Sequence, residues 1–279
     1  MARIAVIGLV GKSMFFEVPR FHTGGETIHA TGLHEEWGGK GFNQAVMAAR
    51  QGAAVAFLGA VCASDMKPLK DFCSKEGFRA VLAAKKDATA CAAILTDGTG
   101  ETRVTVYPGA ALSDRDVDEF ALMIATADIL LLNNEVPEAV NVAALKIAVK
   151  HTVKVIFNPA PARELSKTIR DAVSIWTPNE FEESALGAVA GEVVTTLGAR
   201  GCRIRSTGEI IPAPSVRAVD TTGAGDTFNG VLAVRLAEGD TLVNACRAAN
   251  EAAARSTTVR YVLGVPSSGT RAWRDRTVS

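Results

Sequence analysis

No stretch of about 18 consecutive apolar residues occurs anywhere in the chain, so no membrane span is expected. The apolar run that opens it, Ile4–Ile7, is too short for the hydrophobic region of a signal peptide, and a cytoplasmic enzyme is the expectation. An excess of one charge is also missing: 30 Lys and Arg balance 30 Asp and Glu. A nucleic-acid binder carries a basic footprint, so no nucleic-acid partner is expected. Cysteine is sparse, and the five (Cys62, Cys73, Cys91, Cys202 and Cys246) lie far apart with no Cys-x-x-Cys pair. That spacing speaks against a zinc site and fits reduced thiols packed as small apolar residues. Internal repeats and low-complexity segments are lacking as well.

What is present is ordinary globular composition, 279 residues with 48% hydrophobic and 22% charged. That length suits one domain with an ample core. Short apolar runs at 4–7, 54–58, 129–132, 153–157, 173–176 and 193–196 alternate with helix-compatible segments at 42–50, 68–76, 114–125, 137–150 and 181–189. Apolar strands followed by helices predict an α/β fold in three layers, a mostly parallel central sheet flanked by helices. Two regions break the rhythm. Residues 14–37 carry no long helical pattern, and 90–106 read as two strands around the turn-rich Thr96-Asp97-Gly98-Thr99-Gly100. The two pieces, about 12–37 and 90–107, are expected to pair as a small β-sheet lid inserted in a single domain of residues 1–279. Toward the C-terminus a strand is expected near Val216–Val219, then helices to about Glu238 and from about Leu242 to Arg255.

One motif misleads. Gly8-Leu-Val-Gly11-Lys12-Ser13 follows the first strand and looks like a phosphate-binding Walker loop, but that pattern needs four residues between its glycines and this has two. A tight turn with close chain approach is the better reading.

The chemistry is carried by Val219-Asp220-Thr221-Thr222-Gly223-Ala224-Gly225-Asp226-Thr227-Phe228-Asn229-Gly230. A strand ends, two glycines flank one small residue, and a helix begins. Free N–H groups at such a helix start, aided by the helix dipole, attract anions and can hold the charge of a phosphoryl group in transit. Asp226 there either caps the helix or takes a proton from an attacking hydroxyl.

The dodecamer resembles the C-terminal signature of the ribokinase/PfkB family of carbohydrate kinases. Four further segments resemble that family in the same order: Gly38-Gly39-Lys40-Gly41-Phe42-Asn43-Gln44-Ala45, Phe157-Asn158-Pro159-Ala160-Pro161-Ala162, Thr177-Pro178-Asn179-Glu180-Phe181-Glu182 and Thr195-Thr196-Leu197-Gly198-Ala199-Arg200-Gly201. The resemblance implies a ribokinase-like fold and transfer of the γ-phosphate of ATP to a sugar hydroxyl. It implies Asp226 as the base and the backbone of Gly223, Ala224 and Gly225 as the anion hole. Asn179 and Glu182 would order Mg2+ and its waters, a role suited to hard oxygen donors; the residues' own pattern equally describes a helix cap. Thr196 and Gly198 would run along the nucleotide phosphates, and Asn250 would line the adenine pocket. On the substrate side Gly39, Lys40 and Asn43 would meet the sugar, and so would Glu135, itself also readable as a surface acid opening a helix. Asp220 and Thr222, with a C-terminal loop at about 260–267, would hold a monovalent cation such as K+.

Two departures from the family stand out. After the first strand the family carries an Asn and an Asp that grip sugar hydroxyls, and here those positions are Gly11 and Ser13. Loss of a charged acceptor costs about 1.5–3 kcal/mol, which predicts weak binding of unsubstituted ribose to Ser13 unless other groups compensate. Lys12 is read either as a solvated lysine or as a partner for an anionic sugar. Only the 14 residues Phe181–Val194 separate the Asn-Glu motif from Thr195, enough for a parallel crossover with a trimmed helix. A ribose-like sugar or sugar derivative is the expected substrate. The alternatives are a nucleoside, with Phe15, Phe16 and Trp37 as a wall for the base, and a non-catalytic sugar-binding sensor, which would need neither Asp226 nor its amides. A homodimer through the lid is expected from the resemblance.

Overall fold

The computed structural model describes residues 1–263. In chain order the first half comprises β1 (Arg3–Ile7), β2 (Gly11–Glu17), β3 (Gly32–Gly38), α1 (Lys40–Arg50), β4 (Ala54–Cys62), α2 (Met66–Lys75), β5 (Arg79–Lys85), β6 (Ala90–Thr96) and β7 (Thr102–Tyr107). Then follow α3 (Ala121–Ala125), β8 (Ile129–Asn133), α4 (Glu138–Lys150), β9 (Lys154–Asn158), α5 (Lys167–Ala172), β10 (Ile175–Trp176), α6 (Glu180–Leu186) and β11 (Glu192–Thr196). The last elements are β12 (Cys202–Ile204), β13 (Ile210–Ile211), α7 (Ala224–Ala237) and α8 (Leu242–Ser256).

Nine strands form one sheet in the order β13-β12-β11-β10-β9-β8-β1-β4-β5. It is parallel from β5 to β11 and turns antiparallel only at β12 and β13. Because side chains alternate along a strand, β1 feeds two cores. Ile4 and Val6 join Phe42 of α1, Leu69 of α2, Val231 of α7 and Ala249 of α8. Ala5 and Ile7 join Leu145 of α4, Ile169 of α5 and Leu186 of α6 on the other face. That is the three-layer α/β architecture the alternating pattern predicts. The edge strand β5, the short α5 and the β12–β13 hairpin were not anticipated, and the helix expected over 114–125 is a 3₁₀ turn for its first seven residues. Its opening is tied by a reciprocal Ser113–Asp116 cap.

A second sheet of four strands, β3-β2-β6-β7, stands apart from the first. Its β2 pairs in parallel with β6 over Gly11–Glu17 and Ala90–Thr96, which joins the two segments that break the βα rhythm. The Gly8–Gly11 segment therefore leads into a strand and not into a helix, and no Walker loop forms. Instead Gly8 lies against Gly41, where an added Cβ would be 2.6 Å from the Gly41 Cα.

The approach of α7 to α1 is equally close. Asp226 and Gly230 lie one turn apart on the α7 face that meets Gln44 and Ala48, themselves one turn apart on α1. A Cβ on Gly230 would lie 2.8 Å from the Gln44 carbonyl oxygen and 3.0 Å from the Ala48 nitrogen. Backbone atoms cannot swing aside as a side chain can. Gly230→Ala gains up to about 1 kcal/mol in helix propensity, but overpacking typically costs about 1–3 kcal/mol. We expect a net loss of stability in denaturant titration together with weakened activity, and a variant as stable as the parent would show that the helices separate freely.

Candidate active site

The chain reaches the start of α7 through an extended stretch. The strand expected at Val216–Val219 does not form. Pro212 and Pro214 bring no N–H donors, and the sheet edge is already occupied by β13. Val219 and Asp220 instead donate to the Thr257 carbonyl at 2.7 and 3.1 Å. Gly223 then caps α7 with φ of 74°, a conformation other residues adopt only under strain. A Cβ there would also lie 2.5 Å from Val262 Cγ1. The Ala224 N–H bonds the Thr221 carbonyl at 3.3 Å, so it is partly committed. Those of Gly225 and Asp226 have no carbonyl partner among the described residues. They form, with the helix dipole, a site for an anion.

Asp226 does not cap the helix. Its Oδ2 accepts the Asn43 amide at 3.0 Å and its Oδ1 that of Gln44 at 3.2 Å. It is 6% exposed, and it lines a cavity of about 540 Å3 with Lys40, Gly223 and Gly225. Burial pushes its pKa above the usual carboxylate range, while Lys40 and the two amides hold it down. Asn43, expected only on the substrate side, is thus shared: its Nδ2 serves Asp226, and its Oδ1 is buried with no protein partner.

Gly39 has φ of 107° and passes so close over Leu9 that a Cβ would lie 2.5 Å from the Leu9 carbonyl oxygen. The next residue donates its N–H to Glu135 Oε2 at 2.6 Å. Glu135 sits in the loop after β8, held by the Asn133 side chain, which accepts its N–H at 2.9 Å. Burial and the nearby charge of Asp226 raise its carboxyl to about 7. Burial works against the charge on the Lys40 ammonium, but Asp226, Glu135 and Glu182 outweigh it and raise its pKa. A second cavity of about 220 Å3 opens beside Glu135, lined by Leu9, Leu112 and Arg163.

On the far side of the larger cavity, Asn179 and Glu182 form a reciprocal cap on α6. Asn179 Oδ1 accepts the Glu182 N–H at 2.8 Å, and Glu182 Oε2 accepts the Asn179 N–H at 2.9 Å. Both also line the cavity, so the two readings of this motif coexist in one geometry. Thr196 and Gly198 line this cavity and also an adjoining apolar one of about 350 Å3, walled by Pro214, Val216, Ala253 and Asn250. Asn250 Nδ2 donates to the Ile211 carbonyl at 2.8 Å. The failed strand is therefore a wall of this cavity.

Asp220 accepts the N–H groups of Thr222 at 2.9 Å and Tyr261 at 3.0 Å, which ties the loop before α7 to the segment after α8. Of the loop expected at 260–267, residues 264–267 lie outside the described residues.

Two expectations about the small sheet need correction. Lys12 Nζ forms an ion pair with Asp65 at 2.7 Å and lies over the Trp37 ring, so it is not the free cation an anionic sugar would need. Cross-strand partners share a face and neighbours alternate, so Lys12, Phe16 and Trp37 lie on one face while Ser13 and Phe15 lie on the other. Phe15, Phe16 and Trp37 therefore cannot make one wall for a nucleobase. Ser13 stands opposite Glu36, with its Oγ against Gly38.

Sequence reasoning missed several supports. Gln44 stands within a recognised motif, but nothing in its spacing pointed at Asp226. Asn229 donates to the Gly225 carbonyl at 2.8 Å and accepts from Thr177 Oγ1 at 2.6 Å, and Asn158 donates to the Thr177 carbonyl at 2.8 Å. These bonds fasten the corner to β9 and β10, and only the assembled fold reveals them.

Fold and site together define a three-layer α/β enzyme with an anion-binding helix start and a buried carboxylate beside it. Comparison with known proteins agrees: the family described as pfkB family carbohydrate kinase matches residues 1–265, and the chain belongs to it. It is accordingly a phosphotransferase with an alcohol group as acceptor. The chain is 35% identical to the ribokinase of Haemophilus influenzae, covering 91% of this chain and 92% of that protein. It is 33% identical to that of Bacillus subtilis, covering 92% and 93%. Among solved structures, ribokinase from Thermotoga maritima superposes with a TM-score of 0.83 at 30% identity, covering 94% and 95%. Ribokinase from Arabidopsis thaliana complexed with ribose and ATP superposes with a TM-score of 0.80 at 26% identity, covering 94% of each.

The raised Glu135 carboxyl makes a stability prediction. The folded state holds its proton up to about 7 whereas the unfolded chain releases it near 4.5, so between those values the folded state binds more protons. Stability contributed by this group is therefore lost as pH rises through that window. Relative to Glu135→Gln, which cannot titrate, the parent protein is expected to lose about 1–3 kcal/mol between pH 4.5 and 7.5 in denaturant titrations, and parallel curves would contradict the burial of this charge.

Proposed function

We propose that this protein transfers the γ-phosphate of ATP to a hydroxyl of a ribose-like sugar or sugar derivative, with Asp226 as the base. The observation that carries this reading is the pairing, at one corner, of a buried carboxylate with the uncommitted N–H groups of Gly225 and Asp226, in a cavity continuous with an apolar pocket sized for a nucleobase. Adenine would lie against Pro214, Val216 and Ala253, with Asn250 at its edge. The phosphates would pass Thr196 and Gly198 and end at Gly223–Gly225. The acceptor sugar would then lie between Asp226, Gly39, Lys40, Asn43 and Glu135.

In this arrangement Asp226 accepts the hydroxyl proton as the oxygen attacks the γ-phosphorus. The helix amides and Lys40 meet the charge spread over the transferring oxygens, so catalysis is positioning and electrostatics more than covalent chemistry. Asn43 Oδ1 is free to accept a second sugar hydroxyl. Glu135 is fixed on the same side through Lys40, and its raised carboxyl can accept from, or donate to, a hydroxyl.

The donors at Asn179 and Glu182 are hard oxygens suited to Mg2+. Among the described residues no group of three or more His, Cys, Asp or Glu could hold a metal, so the ion would rest chiefly on phosphate oxygens and water ordered by these two residues. When bound it supplies neutralising charge to the phosphates. The loop of Asp220 and Thr222 is the place for a monovalent cation such as K+.

The small sheet serves as a lid that excludes water from the transfer. Its edge strand β7 is exposed along its length, with Val104 57% and Val106 59% exposed. Such an edge invites pairing, which supports a homodimer through the lid. No helix among the described residues is long and apolar enough to cross a membrane. All five cysteines are free, which fits a reducing cytoplasm. Ribose is the first acceptor to test, with sugar acids and nucleosides beside it, because Gly11 and Ser13 stand where the family grips hydroxyls.

Asp226→Asn is expected to fold and to bind ADP normally while losing turnover by about 10²–10⁴-fold in an ADP-release assay across this panel. Near-normal turnover would remove Asp226 from its role, and a parent protein inactive on the whole panel would favour a non-catalytic sensor.

A further inference from the structure

The base is gripped from both sides by consecutive residues of one helix. Asn43 and Gln44 open the second turn of α1, and their amides reach different oxygens of the same carboxylate at 3.0 and 3.2 Å. Both side chains are buried, Gln44 fully and Asn43 to within 6%. Successive helical residues diverge by about 100°, so they seldom serve one group. They do so here because α7 crosses α1 at Gly230 in direct backbone contact, which brings Asp226 in over the helix between them. Resting on the kinase reading above, we propose that Gln44 is a positioning residue for Asp226: its amide and that of Asn43 set the rotation of the carboxylate and leave its remaining lone pairs facing the acceptor hydroxyl.

The two residues do not share the work equally. Asn43 Oδ1 and Gln44 Oε1 are both buried with no protein partner, but the resemblance implies only Asn43 in sugar binding. Neither amide lines the larger cavity, while Asp226 does, so both act on the site from behind the carboxylate. The one resolved partner of Gln44 is Asp226 Oδ1. A leucine or methionine would fill the same space with less desolvation cost, so packing does not account for a glutamine here. The amide is oriented by the carboxylate, because the reverse orientation would set two oxygens against each other.

Three ionisable groups surround this arrangement. Lys40, at the start of α1, favours the ionised carboxylate. Glu135, in the loop after β8, is itself raised by burial and by the Asp226 charge. Glu182, on α6, acts on Lys40. Because burial and the Asp226 charge raise the Glu135 carboxyl, the acid limb of activity reads both groups. Removing the Gln44 donor withdraws one hydrogen bond from the ionised form only, which moves that limb upward.

The test is Gln44→Met, compared with the parent protein in ADP-release assays across pH at saturating Mg-ATP and varied concentrations of ribose, or of whichever panel sugar is turned over. The expected result is an acid limb of kcat/KM moved up by about 1–2 pH units, with kcat reduced and ADP affinity unchanged. Carboxyl 13C NMR of Asp226 in the substrate-free protein should report the same upward movement of its midpoint. That measurement needs no turnover, so it separates failure of this inference from failure of the kinase reading. Gln44→Glu keeps the shape of the side chain and covers the case in which the methionine variant does not fold; here a shared proton should move the midpoint further upward. An unmoved limb and an unmoved NMR midpoint in a folded variant would overturn the proposal. So would unfolding of both variants, which would make Gln44 a structural residue.

Discussion

The site depends on the contact between two helices that are far apart in the chain. α1 and α7 touch backbone to backbone because residue 230 has no side chain. Asp226 lies one helical turn before that contact, so its carboxylate is delivered onto the amides of Asn43 and Gln44. The turn of chain before Asp226 is the open helix start. The same contact that buries the carboxylate thus sets it beside the anion-binding amides, and neither could be moved without the other. The glycine at 223 completes the corner, with its positive φ and no room for a Cβ against Val262.

The electrostatics follow from that placement. A carboxylate buried this deeply is costly to ionise, and its pKa rises. The protein answers with Lys40 and two amide donors, which hold the charged form within reach. Glu135 is buried as well, and with the Asp226 charge nearby its own carboxyl rises to about 7. The cluster therefore holds one carboxylate whose charged form is supported by Lys40 and two amides, and another poised between its two protonation states. Environment alone separates the two.

Much of this was legible from residues 219–230 and the four segments that accompany them. A glycine-bounded helix start predicts an anion site from local physics, and continuous apolar strands predict a parallel sheet. The pairing of the small-sheet strands β2 and β6 was legible too, because both lie in stretches that interrupt the βα rhythm. What stayed hidden was whatever depends on long-range packing. The α1–α7 crossing gave no local sign, so Gln44 was passed over and Asn43 was read as a sugar ligand only. The strand expected at 216–219 failed because strand propensity does not register that the edge is already taken. Lys12 was readable as a substrate cation until Asp65, 53 residues later, was seen to hold it. The aromatic wall failed on alternation, a rule available from the sequence once the strand register is known.

The proposed substrate end departs from the family pattern at Gly11 and Ser13. Gly11 and Ser13 supply no carboxylate to the sugar, Lys12 is engaged elsewhere, and the cavity beside Glu135 is lined by Leu9, Leu112 and Arg163. On the function proposed above, sugar recognition falls on Asn43, Glu135 and the backbone around Gly39. The most direct test is a crystal structure with ribose and a non-hydrolysable ATP analogue. The account predicts an acceptor hydroxyl within about 2.6–3.2 Å of Asp226, with the γ-phosphate on the Gly223–Gly225 amides. An acceptor bound with Asp226 turned away from it, or a phosphate resting elsewhere than on the start of α7, would contradict it.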